Sequence, residues 1–282
     1  MAVDGSITAG DGTAMGERAL ADALGLPLYA PPWFVPVLRP METAHWRVTT
    51  CPFHVEPGYH SGLWAVPAMP LLLRRSEGSG DAWETWMSFS PREIESQEPA
   101  CRHAAGKVAV MGLGLGWAAA NLALNPRVRQ VTVVELDPEV IELVTSLGVF
   151  GQLPEAVRAK VGIVRADALA WRPGSPVDFL YADIWRCFDA PGTLDQVRRM
   201  QANAAAETVC FWGQEILLHR LLEGTGWANL PLAGLRDKVR ELTGLPLLVP
   251  GEGYAETIRR VAANRAGPGR RTGAGTAGPP EP

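Results

Sequence analysis

The residues best suited to chemistry in this sequence are small or acidic and follow short apolar runs: Gly112, Gly114, Gly116, Glu135, Asp167 and Asp183. If the runs are neighbouring parallel strands, these residues meet at one edge of a sheet, where ligands of such sheets bind. A glycine loop lets a ligand approach the backbone, and an acid at a strand end can accept hydrogen bonds from two ribose hydroxyls. The pattern implies a cofactor that contains a nucleoside.

A strand, loop, helix and strand must position the glycines and the first acid. The apolar run at 107–111 predicts a buried strand, and the β-branched run at 128–134 predicts a second one. The residues at 117–124 have helical composition, and the helix must end at Asn125, because proline disfavours helical geometry in the preceding residue. The remaining acids require further strands.

Strands and helices are predicted to alternate through the rest of the chain. The predicted strands lie at 162–165, 177–182, 208–212 and 245–249. The predicted helices lie at 151–159, 194–205, 232–243 and 254–264. This alternation indicates an α/β fold with a doubly wound, mostly parallel, Rossmann-like sheet over residues 101–264.

A small β-rich module is predicted at 17–100. Prolines interrupt its apolar runs and exclude long helices, which leaves extended segments at 45–53, 63–75 and 82–89. The polar stretch at 76–81 predicts a hairpin turn.

Helical segments are expected at both ends of this module. A short helix is predicted at 17–24, and a second is predicted to begin after Ser90, with Glu93 completing a capping box, and to end near Pro99. The segments at 1–16 and 265–282 lack the apolar residues for packing and are predicted to be flexible and disordered, respectively.

Composition excludes several classes of protein. The net charge is −4 and the pI is about 5.8, so we expect no nucleic-acid partner. No run approaches the roughly 18 apolar residues of a membrane span, and no signal peptide is recognisable. The cysteines are widely spaced, as in a reduced cytoplasmic protein: Cys51, Cys101, Cys187 and Cys210. A homodimer is compatible with the sequence.

The glycine loop alone leaves the cofactor open. Starting at Gly112 it spells G-x-G-x-G, and starting at Gly114 it spells G-x-G-x-x-A, a pattern typical of NAD sites. The first register has the better physical case, because its turn begins where the strand ends.

Four motifs together resemble a known family. They are VMGLGLG at 110–116, VVELDPEVIELV at 133–144, RADAL at 165–169 and VDFLYADIW at 177–185. They are similar to the class I S-adenosylmethionine-dependent methyltransferases, and within them to the spermidine synthase-like branch, over about residues 87–212.

The resemblance implies a role for each motif. The three glycines would line the methionine and ribose part of S-adenosylmethionine, and Glu135 would hold the ribose hydroxyls. Asp167 and the Ala168 backbone would bind the adenine edge. Asp183 would face the reacting centre, as a general base or as an anchor for a cationic nucleophile.

Departures from the family pattern favour methyl transfer over aminopropyl transfer. Aminopropyltransferases carry an aspartate where this chain has Leu115, and a Tyr-Gln/His-Glu element where it has WMSF at 86–89. The expected function is therefore methyl transfer to a small molecule, with aminopropyl transfer and a non-catalytic cofactor-binding protein as alternatives. An NAD-dependent dehydrogenase is disfavoured, because no His or Lys is placed as a hydride-transfer acid.

Other polar and aromatic residues also have functional interpretations. Trp185 is expected to form a pocket wall, and Tyr59 and His60 are expected on the substrate side. His54, Glu56 and His60 could be read as a metal cluster, but prolines and glycines break their spacing, so no metal is expected. Asp137 is interpreted as a helix cap and Asp178 as structural.

Overall fold

The computed structural model describes residues 12–76 and 82–266, which contain two sets of strands. The strands are β1 (Met41–Glu42), β2 (Trp46–Cys51), β3 (His54–Pro57), β4 (Leu63–Val66), β5 (Met69–Arg75), β6 (Trp83–Ser88), β7 (Gly106–Met111), β8 (Val128–Glu135), β9 (Val161–Arg165), β10 (Phe179–Ala182) and β11 (Thr208–Phe211). The helices are α1 (Gly12–Leu24), α2 (Pro91–His103), α3 (Trp117–Leu124), α4 (Pro138–Ser146), α5 (Glu155–Arg158), α6 (Thr193–Ala204), α7 (Gln214–Leu222), α8 (Leu232–Thr243) and α9 (Tyr254–Ala266). No helix in this part of the chain has the length and apolar character needed to cross a membrane.

The second set of strands forms a five-stranded parallel sheet in the order β11-β10-β7-β8-β9. Strands β8 and β9 lie on one side of β7 and strands β10 and β11 on the other, so the strand order reverses at β7. Met111, the last residue of β7, pairs with Val134 on one side and Ala182 on the other. The carboxyl ends of the central strands therefore lie side by side at the switch point, where ligands of such sheets bind.

Helices cover both faces of the parallel sheet. Alternate residues of each strand point to opposite faces, and Val108 and Val110 belong to one buried cluster, which includes residues of α2, α3 and α4. Ala109 and Met111 belong to a second cluster with residues of α6, α7 and α8. The predicted doubly wound, mostly parallel α/β fold is confirmed.

The first set of strands forms the antiparallel module expected near the N-terminus. Its main sheet has the order β1-β2-β5-β6, and β3 and β4 form a separate hairpin. Trp46, Val48 and Leu72 from this sheet pack in the same buried cluster as residues of β7 and α3. The predicted turn between β5 and β6 lies largely outside the described residues.

Two buried carboxylates attach the β3–β4 connection to the helices of the core. Glu95 of α2 accepts hydrogen bonds from the backbone N–H groups of His60 and Ser61, at 3.0 and 3.1 Å, and from the Ser61 hydroxyl. Glu215 of α7 accepts hydrogen bonds from the hydroxyls of Tyr59, at 3.0 Å, and Tyr254, at 2.7 Å. The hairpin is thus held by hydrogen bonds to two buried carboxyl groups of the core helices.

Several helix boundaries differ from those predicted. Helix α1 begins at residue 12 instead of 17, and α2 continues through Pro99 to His103. The segment 151–159 is divided into a 3₁₀ turn and the single turn α5, because Pro154 separates them. Helix α9 includes residues 265 and 266, and the rest of the predicted disordered tail lies outside the described residues.

Two further differences concern the elements after β11. The segment 245–249 makes one isolated bridge, between Val209 and Leu247, and adds no sixth strand to the sheet. The sequence predicts no helix at 214–222, where the structure has α7. This helix begins with two buried polar residues, Gln214 and Glu215.

Candidate active site

The loop between β7 and α3 requires its glycines. Gly112, Gly114 and Gly116 have φ values of 99°, 51° and 78°, a region that L side chains rarely adopt. A Cβ atom at position 112 would lie 2.0 Å from the carbonyl oxygen of Asp183, and one at position 114 would lie 2.4 Å from the Sδ atom of Met87. The loop backbone is therefore pressed between β10 and the N-terminal sheet.

Glu135, the last residue of β8, organises this loop. Its Oε2 atom accepts a hydrogen bond from the backbone N–H of Leu113 at 2.9 Å, and its Oε1 atom accepts one from Asp137 at 2.8 Å. An ionised carboxylate has about four acceptor positions, so each oxygen retains capacity for a hydroxyl donor. The carboxylate can hold the loop and bind a diol together.

Asp167 and Ala168 follow β9 at the same edge of the sheet. Asp167 accepts a hydrogen bond from Leu169 N–H through Oδ1, at 2.8 Å, and is exposed. Ala168 is buried, and its N–H has no hydrogen-bond acceptor among the described residues. A free acceptor beside a free donor matches the amino group and ring nitrogen at the edge of an adenine.

A pocket of about 330 Å³ joins these residues. Its floor includes Gly112, Gly114, Glu135, Asp167 and Asp183. The N-terminal sheet contributes the side opposite the parallel sheet, through these side chains: Trp46, Leu72, Arg74, Trp86 and Met87. The two sets of strands therefore form one site.

Met87 of β6 contacts the glycine loop directly. Its Sδ atom lies 3.1 Å from the backbone nitrogen of Leu115 and faces Gly114. Thioether sulfur is a weak acceptor, so this contact fixes the loop without a strong bond. Leu115 itself is fully buried and does not line the pocket.

Asp183 and Glu93 both line the pocket, and the charge of one acts on the other; we call these two residues the acid pair. Burial raises the pKa of Asp183 from 3.8 to about 7, and a hydrogen bond from the Tyr181 hydroxyl, at 3.4 Å, opposes the rise. Burial also raises the pKa of Glu93 well above its ordinary value, and the negative charge of Asp183 raises it further. The Glu93 carboxylate accepts one hydrogen bond, from Gln97 at 2.9 Å. Near neutral pH the pair can therefore both accept and donate protons.

The sequence predicts that Glu93 completes a capping box at the start of α2, and the structure places its side chain elsewhere. Ser90 caps α2 as predicted, by accepting a hydrogen bond from the Glu93 N–H at 3.4 Å. The Glu93 side chain does not return to Ser90, whose N–H binds the Ser88 hydroxyl instead. The predicted capping box is wrong, because the glutamate turns toward the pocket.

The three predicted substrate-side residues occupy different places. Trp185 lines the pocket, and its indole N–H donates to Gln196. Tyr59 is buried and donates its hydroxyl to Glu215, outside this pocket. His60 does not line the pocket, and its Nδ1 atom lies 3.7 Å from Glu95. Of the three, only Trp185 adjoins the expected cofactor residues.

The remaining polar candidates have structural partners. His54 lies 3.3 Å from Glu56 and 3.7 Å from the Cys51 sulfur, and no group of three potential metal ligands occurs in the described ranges. Asp137 caps α4 and accepts a hydrogen bond from the Trp46 indole at 2.8 Å. Asp178 accepts the Lys107 N–H at 2.6 Å, at the end of the sheet opposite the pocket.

The pocket fits S-adenosylmethionine by the chemistry of its groups. Gly112 and Gly114 line it without side chains, whereas Gly116, which was also expected there, packs near Val149 outside the lining. A carboxylate stands where a ribose diol needs acceptors, and a donor and an acceptor are adjacent at the third strand. The indole nitrogen of Trp117, which also lines the pocket, is buried without a hydrogen-bond partner in the described part of the chain.

Comparisons with known proteins give limited similarity. No protein-family model matches the sequence, and no curated protein is significantly similar to it. Among solved structures, the chain is similar to the glycopeptide N-methyltransferase MtfA in complex with S-adenosylmethionine, with 18% identity and a TM-score of 0.32 over 39% of this chain and 44% of that one. It is similar to the methyltransferase CcbJ from Streptomyces caelestis, with 20% identity and a TM-score of 0.31 over 39% and 44% of the two chains. For the N-methyltransferase NodS from Bradyrhizobium japonicum WM9, the identity is 13% and the TM-score 0.29, over 39% and 58%. The chain thus spans less than half the length of MtfA and of CcbJ.

Proposed function

We propose that this protein is an S-adenosylmethionine-dependent methyltransferase that acts on a small-molecule acceptor. The observation that carries the proposal is the arrangement at the switch point. Two loop glycines and three acids follow four neighbouring strands and line one pocket: Gly112, Gly114, Glu135, Asp167 and Asp183. Glu135 would accept the ribose hydroxyls, and Asp167 with the Ala168 N–H would bind the adenine edge. When bound, S-adenosylmethionine supplies a methyl group on a sulfonium.

The residues of the pocket would orient the acceptor and exclude water. Trp46, Trp86 and Met87 cover the pocket from the N-terminal sheet and limit solvent access. Holding the acceptor and the cofactor side by side in such a pocket lowers the entropic cost of bringing the two reactants together. The acid pair would take the proton that the acceptor loses. One ionised carboxylate with a pKa near 7 is suited to this role at neutral pH.

Binding of the cofactor tests the proposal directly. In isothermal titration calorimetry we expect S-adenosylmethionine to bind the wild type, and Glu135→Ala to weaken the affinity by about tenfold or more, because the diol loses its charged acceptor. Glu135→Gln keeps one acceptor for the Leu113 N–H but places an amide donor where the second oxygen accepted the Asp137 N–H, and should weaken binding as well. Glu142→Ala, which removes an exposed acid of α4, is the control. Absence of binding to the wild type, or equal binding by all four proteins, would exclude the proposed cofactor site.

Aminopropyl transfer is the second candidate, and the charge of the pocket favours it. Five carboxylates line the pocket, with Arg74 as the cationic side chain among the described lining residues: Glu93, Glu135, Asp137, Asp167 and Asp183. Decarboxylated S-adenosylmethionine lacks the negative charge that this lining would repel. Titration with both cofactors separates the candidates: tighter binding of the decarboxylated form favours aminopropyl transfer, and tighter binding of S-adenosylmethionine favours methyl transfer.

A further inference from the structure

A second cavity, of about 370 Å³, lies beside the cofactor pocket. The two share four lining side chains: Trp86, Met87, Glu93 and Trp212. Glu93 therefore faces both spaces, and its carboxyl is half of the acid pair. A molecule in the second cavity would meet the cofactor pocket at the proposed proton acceptor.

The charged side chains of the second cavity differ in their pairing within the described part of the chain. Three guanidinium groups and three carboxylates line it: Arg92, Arg186, Arg265, Glu56, Glu93 and Asp189. Arg186 pairs with Glu84, and Arg265 pairs with Asp189. Arg92 is half-buried and makes no ion pair or hydrogen bond with any residue in 12–76 or 82–266. A guanidinium in this setting is suited to bind a carboxylate through two parallel hydrogen bonds.

The acidic and aromatic groups define the rest of the ligand. The Glu93 carboxyl keeps acceptor positions that Gln97 does not fill. A protonated amine beside it would favour its ionised form and donate to it, because an adjacent positive charge offsets the effect of burial. Aromatic rings complete the walls: Phe188 stacks on Trp212 with 3.9 Å between ring centroids, and Tyr59 lies 5.2 Å from Phe188. The cavity complements a molecule with one anionic group, one amine and an apolar body.

We propose that the second cavity binds the methyl acceptor, and that the acceptor is a zwitterionic amino acid with an apolar side chain. Arg92 binds its carboxylate and Glu93 receives its amine. A phosphate in place of the carboxylate would bring a second negative charge near Glu56 and Glu93, so the monoanion fits better. This inference rests on the proposed function, because it assigns the acceptor of that reaction.

The residues account for the protons and electrons of the transfer. The ammonium of the acceptor first gives a proton to the ionised member of the acid pair, and the freed nitrogen lone pair attacks the methyl carbon. The nitrogen–carbon bond forms as the carbon–sulfur bond breaks, with its electrons left on sulfur as a neutral thioether. The product is an N-methylammonium group, and the carboxyl returns its proton to solvent.

The experiment compares one amino acid with analogues that lack each charge. Wild-type protein is titrated with L-phenylalanine, phenethylamine and 3-phenylpropionate, with and without S-adenosylhomocysteine. We expect L-phenylalanine to bind about tenfold or more tightly than either analogue, since each lacks one charge-assisted contact. Arg92→Gln should reduce the affinity for L-phenylalanine to that for phenethylamine and leave phenethylamine unaffected. Glu93→Gln should instead reduce phenethylamine binding and leave 3-phenylpropionate unaffected.

A matched control and a wider panel keep the outcome decisive. Arg199→Gln removes an exposed arginine of α6 and should bind like the wild type. If Arg92→Gln binds L-phenylalanine as the wild type does, or if L-phenylalanine, L-leucine and L-tryptophan all fail to bind, the inference is wrong. S-adenosylmethionine binding, measured separately, would then still stand as support for the proposed function. Amino-acid binding without any cofactor binding would overturn the proposed function and leave the second cavity as a binding site.

Discussion

At the scale of single residues, the ionisation of Asp183 in the acid pair makes the free energy of unfolding depend on pH. An unfolded aspartate ionises near pH 4, whereas burial raises the pKa of Asp183 to about 7 in the fold. Between these values the folded state binds more protons, so the free energy of unfolding falls as pH rises from about 4 to about 7. We expect Asp183→Asn, which cannot ionise, to be more stable than the wild type at pH 8 by about 1 to 3 kcal/mol.

Urea unfolding at pH 5 and pH 8 measures this difference. The stabilisation by Asp183→Asn should be large at pH 8 and much smaller at pH 5, where the wild-type carboxyl is already mostly protonated. Asp237→Asn, on the exposed face of α8, should have little effect at either pH. A stabilisation of equal size at both pH values would mean that the change acts through packing and not through ionisation.

Of the acid pair, only Asp183 could be predicted as a site residue from the sequence, because its signal lies in the neighbouring residues. Asp183 directly follows an apolar run, and its place at the end of β10 follows from the alternation of strands and helices. Glu93 has the spacing of a capping box, and the same spacing is compatible with a side chain that faces a pocket. Only the packing of α2 against the end of the sheet decides between them, and no local pattern records that packing.

At the scale of elements, β6 contacts the glycine loop through the sulfur atom of Met87, which leaves no room for a side chain at Gly114. Gly114 has a φ of 51°, and an added Cβ would lie 2.4 Å from the Met87 sulfur. We expect Gly114→Ala to lower the free energy of unfolding by about 2 to 4 kcal/mol, from the strained φ and the overlap together. In a Met87→Ala background the same change should cost about 1 to 2 kcal/mol, because only the backbone strain remains.

Gly148→Ala isolates the backbone contribution. Gly148 has a φ of 64° and nothing within 4 Å of its added Cβ, so its substitution should cost about 1 to 2 kcal/mol. Denaturant unfolding of the single and double variants gives the interaction energy between positions 87 and 114. An equal cost of Gly114→Ala in both backgrounds would show that β6 does not press on the loop.

Elements were predictable where the signal is local and less so where packing overrides it. Helices α3 and α8 have the predicted bounds, because proline, glycine and apolar periodicity mark them. Helix α2 passes through Pro99, since the buried residues on both sides of it hold the helix in place. The segment 245–249 is apolar enough for a strand, but it pairs with β11 at a single bridge.

At the scale of the whole molecule, the pocket exists only while the two sheets stay together. Buried Glu95 binds the β3–β4 connection through His60 and Ser61, and Val66 of this hairpin packs in the same buried cluster as residues of both sheets. Glu95→Ala leaves those donors without their charged acceptor, and we expect the free energy of unfolding to fall by about 2 to 4 kcal/mol. Because the sheets share one buried cluster, the loss should lower the stability of both together.

Two probes of thermal unfolding test this cooperativity. Fluorine-19 resonances of 5-fluorotryptophan resolve Trp46, Trp83 and Trp86 of the N-terminal sheet from the tryptophans of the core, and far-ultraviolet circular dichroism weights the helices of the core. For Glu95→Ala both signals should shift to the same lower temperature, whereas Glu142→Ala should unfold as the wild type does. Separation of the two transitions would mean that the N-terminal sheet is an independent cover. In that case S-adenosylmethionine binding at the proposed site, which the N-terminal sheet covers, should weaken at temperatures where the core alone remains folded.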